Sequence, residues 1–170
     1  MFESTQFAFA RFFVPYECHY KGKSVFVDSD FLFLEPIDEL LDLYDSKYAV
    51  MCCKHRYQVS NSVKMNGKIQ SDYPMKNWSS LMVINNEHDD TRQLTPEVVN
   101  SQTGKYLHRF EWVSGDIGSI PIEWNWLVGI YNERDDFKPK ALHFTNGGPW
   151  LEDYKNCEYS DVWNEHLKKI

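Results

Sequence analysis

A short apolar run that closes on two carboxylates constrains this chain most. Lys21-Gly22-Lys23 makes a turn, and residues 24–27 (Ser-Val-Phe-Val) then read as a buried strand. The run stops at Asp28-Ser29-Asp30 and resumes as Phe31-Leu32-Phe33-Leu34. A buried strand has no packing reason to end in two like charges that repel each other. Further apolar runs of this kind lie at 48–53, 80–85 and 141–145, and helix signals fall between them. Ser4 and Thr5 can cap a helix that carries Phe7, Phe9, Ala10, Phe12 and Phe13 and ends near Pro15. Pro36 opens a helix through Leu40, Leu41 and Leu43. Thr95-Pro96-Glu97 sets a capping hydroxyl, a first-position proline and a carboxylate at the positive end of a helix dipole. Gly104 divides that helix from residues 105–110, and Ser160 caps a last helix running to Lys168 and Lys169. Strands alternate with helices, which predicts an α/β domain built around a mixed sheet flanked by helices.

The length of 170 residues suits a single domain over 1–170, with no internal repeat and no linker. Apolar residues at 42% and charged residues at 25% are the balance of a chain that buries a core, not of a disordered one. No apolar run is long enough to cross a bilayer, which leaves room only for peripheral membrane association. The N-terminal stretch lacks the basic-then-apolar order of a secretory signal, so the expected location is cytoplasmic. A net charge of −7 with no basic groove argues against a nucleic-acid partner. Cys18, Cys52, Cys53 and Cys157 form no metal-binding spacing and read as reduced thiols, with adjacent Cys52 and Cys53 pointing to opposite faces of a strand. Residues 54–77, with Asn66-Gly67 as a turn, read as a long functional or mobile loop.

Three groups of residues can carry chemistry. Asp28 and Asp30 stand at i and i+2, so on a strand both carboxylates face one side and can hold a hard divalent cation, Mg²⁺ or Mn²⁺. The spelling is no evidence, since 13 Asp in 170 residues give about one such pair by chance. The placement at the end of an apolar strand is evidence, against the alternative of a solvated turn. His143 sits inside an apolar strand and is either a satisfied core histidine or a third ligand. Asn146-Gly147-Gly148 follows at once, a turn whose backbone N–H groups can approach an anion. Trp78, Trp124, Trp126 and Trp150 each lie beside a turn or a small polar residue; they read as core packing or as the wall of a sugar-binding cleft.

In combination these segments resemble the GT-A glycosyltransferases of the glycogenin and lipopolysaccharide-galactosyltransferase type, family 8. The resemblance runs through DSD (28–30), PIDELLDL (36–43), NWSSLMVIN (77–85), IPIEWNW (120–126) and HFTNGGPW (143–150), and covers roughly residues 4 to 167. It implies a GT-A-like, Rossmann-like mixed sheet. It also implies retaining, hexosyltransferase-like transfer of a sugar from a nucleotide-diphosphate donor to a glycan or other acceptor. By resemblance Asp28, Asp30 and His143 bind Mn²⁺ or Mg²⁺, and Arg11, Ser29, Asn77, Trp78, Ser79, Gly147, Gly148 and Trp150 line the donor site. Gln102 and Asp116 stand nearest the positions of the family's acidic-glutamine motif, as the catalytic candidates.

Departures from the family pattern set further expectations. The family's last motif carries a lysine before its Pro-Trp; here Gly148 stands there, and Lys76 and Lys140 are the candidate replacements. In the GT-A fold two or three βα units precede the D-x-D strand, whereas roughly two dozen residues precede it here. The expectation is the C-terminal two-thirds of a GT-A domain. A non-catalytic, carbohydrate-binding or scaffold remnant of such an enzyme is the alternative. A metal-dependent phosphoesterase would need a second metal site or a nucleophile beside Asp28, and the sequence offers neither.

Overall fold

The computed structural model describes residues 6–56, 75–132 and 137–169. The expected Ser4-Thr5 cap, the Asn66-Gly67 turn and most of the 54–77 stretch lie outside them. The helical entry is continuous past Pro15. α1 (Gln6–Phe9) passes through a 3₁₀ turn (Ala10–Phe13) into α2 (Val14–Glu17), where the proline occupies the first turn and its missing N–H costs nothing. Then come β1 (Lys23–Val27), β2 (Phe31–Phe33), α3 (Ile37–Leu41), β3 (Val50–Cys53) and β4 (Leu81–Asn85). Short helices α4 (Asp89–Arg92), α5 (Pro96–Ser101) and α6 (Gly104–His108) follow β4. The chain continues through β5 (Gly118–Ile120), a 3₁₀ turn at Ile122–Asn125, β6 (Trp126–Leu127), β7 (Ala141–His143) and α7 (Ser160–Leu167).

The strands form two sheets where one was expected. A four-stranded sheet has the order β1-β4-β3-β5, antiparallel except for the parallel β3–β5 pair. A three-stranded sheet has the order β2-β7-β6, with β2 antiparallel and β6 parallel to β7. In the larger sheet β3 and β4 are buried throughout, whereas β1, expected buried, is half-buried because it is the edge strand. Alternation across β3 and β4 separates two cores. Val50, Cys52, Met82 and Ile84 pack with Leu94, Val99 and Leu107 on the helical side. Met51, Cys53, Leu81 and Val83 pack with Leu40, Ile120 and Trp124 on the other. Cys52 and Cys53 thus face opposite ways as expected, and all four cysteines are free. Thr95 caps α5, its Oγ1 accepting from Val98 N at 3.3 Å. Thr103 caps α6 in the same way from Tyr106 N at 3.1 Å, a cap the sequence reading passed over. Ser160 is not the cap of α7; that place is taken by Tyr159, in the left-handed region at φ 58°, with no capping side chain. No helix among the described residues is long and apolar enough to cross a membrane.

Candidate functional site

Asp28 and Asp30 lie not on one strand but at the seam between the two sheets. Asp28 N–H donates to Ser80 O at 2.9 Å, prolonging the β1–β4 pairing, while Asp30 O accepts from Phe144 N–H at 3.0 Å, prolonging β2–β7. Ser29 between them is exposed. β7 brings His143, 2% exposed, to the same point, its Nε2 3.3 Å from Asp30 Oδ1. One donor atom from each of Asp28, Asp30 and His143 lies within 4.8 Å of the others. The pairing predicted from i, i+2 spacing therefore exists, through a turn rather than a strand.

The electrostatics distinguish the two carboxylates. Arg11, buried in the entry helix, sets Nη2 2.7 Å from Asp28 Oδ1 and donates from Nη1 to Ser79 O at 2.7 Å. Its guanidinium lies over the Phe26 ring, 4.9 Å from the centroid. Burial raises the Asp28 pKa, and Arg11 only partly offsets it. Burial also pushes Asp30 upward, but the hydrogen bond and charge of His143 outweigh it, so Asp30 ends below the usual carboxylate range. Asp28 Oδ1 and Asp30 Oδ1 are buried and neither accepts a hydrogen bond of good geometry among the described residues. Two such carboxylate oxygens and an imidazole nitrogen are the donor set of a hard or borderline divalent cation, so these residues fit Mn²⁺ or Mg²⁺.

Polar side chains surround the trio. His143 Nδ1 is 2.9 Å from Asn125 Oδ1, Asn125 Nδ2 donates to Ser80 Oγ at 2.9 Å, and Ser80 Oγ donates to Asn77 O at 2.7 Å. Phe31 stacks on His143 at 4.4 Å. Ser79 Oγ is 2.8 Å from His108 Nδ1, and burial first, Arg11 second, push His108 down to about 4. His55 Nδ1 and Tyr131 Oη are 2.7 Å apart, and Trp78 Nε1 donates to the His55 carbonyl at 3.1 Å. Burial, then the nearby His143, lowers His55 to about 3.

Arg11 thus stands against Asp28 with Ser79 beside it, whereas Asn77 reaches the trio through Ser80 and Trp78 bonds the His55 carbonyl. Gly147 has φ 129°, a backbone angle natural to glycine, but its N–H donates to Phe144 O at 2.8 Å and is not free for an anion. Gly148 packs so closely under Trp150 that an added Cβ would lie 2.7 Å from the ring's Cε3. Trp150 is 45% exposed and Trp78 half-buried, whereas Trp124 and Trp126, at 2% and 3%, fill the core and cannot wall a cleft. Lys140 is held by Glu39 at 2.6 Å, and Lys76 is buried. Gln102 is exposed at the end of α5, its side chain bonded to none of the described residues. Asp116 precedes β5 at the opposite end of the four-stranded sheet, lining a cleft of about 290 Å³ with Tyr48, His88 and Asp90. Asp116 does not join the trio, since sequence interval alone does not fix which end of a strand a residue reaches.

Sequence reasoning missed Ser80, Asn125 and His108. Asn125 carried the one available signal, an amide between two tryptophans that had to find partners once buried.

No protein-family model matches the chain. Protein CDI of Arabidopsis thaliana is 46% identical over 171 residues, covering 98% of this chain and 66% of that protein. Among solved structures, the bifunctional glycosyltransferase WbbM in apo form matches with TM-score 0.66 and 19% identity, over 98% of this chain and 36% of that one. The glycosyltransferase GlyE of Streptococcus pneumoniae gives 0.57 and 16%, over 98% of this chain and 47% of that one. The galactosyltransferase LgtC, solved with donor and acceptor sugar analogues, gives 0.58 and 12%, over 95% of this chain and 66% of that one. These neighbours are GT-A glycosyltransferases, LgtC of family 8, and the chain has the GT-A fold. It spans just under two thirds of the curated relative's length and smaller or equal shares of the solved structures.

Proposed function

We propose that this GT-A chain carries the metal and donor site of a divalent-metal-dependent glycosyltransferase. Its donor is a nucleotide-diphosphate sugar, its acceptor a glycan or similar hydroxyl-bearing molecule, and transfer retains configuration. The observation that carries the reading is the convergence of Asp28, Asp30 and His143 at the seam of the two sheets. Asp28, Asp30 and His143 would hold Mn²⁺ or Mg²⁺, which supplies electrostatic neutralisation of the charge developing on a leaving diphosphate. Arg11 holds the Asp28 carboxylate toward the site and adds a fixed positive charge beside it. Ser79, bonded to a neutral His108, keeps a hydroxyl next to that guanidinium for a donor hydroxyl or phosphate oxygen. The exposed face of Trp150, close after the β7 turn, offers a stacking surface for a sugar ring.

Asp30→Ala should abolish Mn²⁺-dependent hydrolysis or transfer of a nucleotide-sugar; activity equal to the wild type would sink the assignment. A second reading, a non-catalytic sugar-binding remnant, is favoured by one observation: Asp116 stands at the other end of the four-stranded sheet from the trio. Calorimetry with UDP and GDP, with and without Mn²⁺, separates the two. Oligosaccharide binding without metal-dependent nucleotide binding supports the remnant.

A further inference from the structure

We infer that Ser80 and Asn125 are positioning residues that fix which nitrogen of His143 is free to ligate a cation, an inference that rests on the metal-site reading above. The bonds run in one direction. The Asn77 carbonyl can only accept, so Ser80 Oγ, at 2.7 Å, must donate to it. The hydroxyl proton being committed, Ser80 Oγ can only accept from Asn125, which turns the amide nitrogen toward Ser80 at 2.9 Å. The amide oxygen must then face His143, 2.9 Å from Nδ1, and takes the ring proton there. Nε2 is left outside the lock, 3.3 Å from Asp30 Oδ1, so the proton it shares with that carboxylate is the one a cation displaces. Rotating the amide would either take the hydroxyl from the Asn77 carbonyl, leaving it the longer bond from Ser80 N at 3.4 Å, or set the amide oxygen against the Ser80 oxygen, two acceptors facing each other. Ser80, Asn125 and His143 are 2%, 0% and 2% exposed, so water cannot substitute for a lost partner. Ser80 precedes β4 and Asn125 precedes β6, so the lock joins the two sheets that supply the ligands.

The test uses ¹⁵N-imidazole spectra of the metal-free protein at pH 8 and Mn²⁺ titration followed by electron paramagnetic resonance. Wild type should show His143 protonated on Nδ1. Ser80→Ala should mix the tautomers and weaken Mn²⁺ binding about 10-fold, the lower end of what loss of an outer partner costs a metal site. Ser80→Thr, which keeps the hydroxyl, should restore both readouts. Ser80→Cys, a near-isosteric change with a weak donor, carries the same comparison if the alanine variant does not fold. A wild type with Nδ1 unprotonated overturns the inference, as does an alanine or cysteine variant with an unchanged imidazole spectrum. Failure of the wild type to bind Mn²⁺ overturns the function reading instead, and the spectra still decide the tautomer.

Discussion

Acidification should destabilise the fold through His108, and the size of the effect follows from its surroundings. The ring is half-buried, 2.8 Å from Ser79 Oγ through Nδ1, edge-on to Phe12 at 5.1 Å, and close enough to Arg11 to feel its charge. These surroundings lower its pKa from 6.5 to about 4. A depressed folded pKa means that the unfolded chain takes up the proton first as pH falls. Stability is therefore intact above pH 6.5, declines through the interval, and stops declining near pH 4, where the folded state protonates too. One unmatched proton costs about 1.4 kcal/mol per pH unit, which over this interval amounts to roughly 3 kcal/mol, discounted to about 2 kcal/mol for the exposed part of the ring. Urea unfolding of wild type and His108→Gln from pH 7.5 to 4.5 isolates the term, because glutamine still bonds Ser79 and the other histidines are common to both proteins. The stability difference should shift in favour of the variant by about 2 kcal/mol as pH falls. Parallel curves would refute the reasoning.

Gly118→Ala should destabilise by about 1–3 kcal/mol in a thermal or urea melt, because its Cβ would sit 2.8 Å from Tyr48 Cδ2 and closer still to Met51 Cγ, both packed against β5. Arg11→Met should cost about 2 kcal/mol by leaving Asp28 without its cation, and Mn²⁺ should recover part of that loss as a rise in Tm; a variant as stable as wild type would mean that solvent already screens the pair.

Local patterning made much of the fold legible. Period-two alternation set Cys52 and Cys53 on opposite faces, and the Thr95-Pro96-Glu97 signature marked α5 because a cap is a contact between residues three apart. The cluster of Asp28, Asp30 and His143 was legible by resemblance, and by the oddity of carboxylates closing an apolar strand. What escaped depends on distant contacts. Ser80 meets Asn125 45 residues on, and Ser79 meets His108 29 residues on, pairings that no window of sequence displays. Asp116, the nearest acid to the expected motif, lies at the opposite end of the sheet from the aspartates, because β5 runs parallel to β3 and enters from that side. The tryptophans of the Trp124-Asn125-Trp126 segment had polar and turn neighbours in sequence but none of the exposure those neighbours suggested. Backbone turns there direct large rings inward, and the buried amide between them is held by its own hydrogen bonds.

The seam at Asp28-Ser29-Asp30 has a consequence for how variation reaches the site. Each aspartate is registered by a different sheet, so the distance between the carboxylates measures how the sheets sit against each other. Sequence drift that preserves each sheet but tilts one relative to its neighbour leaves an intact fold with a detuned site. Drift that shifts both together is silent. Folding and ligand geometry are therefore separable properties in this chain, inherited through different contacts, and joined at the single peptide unit of Ser29.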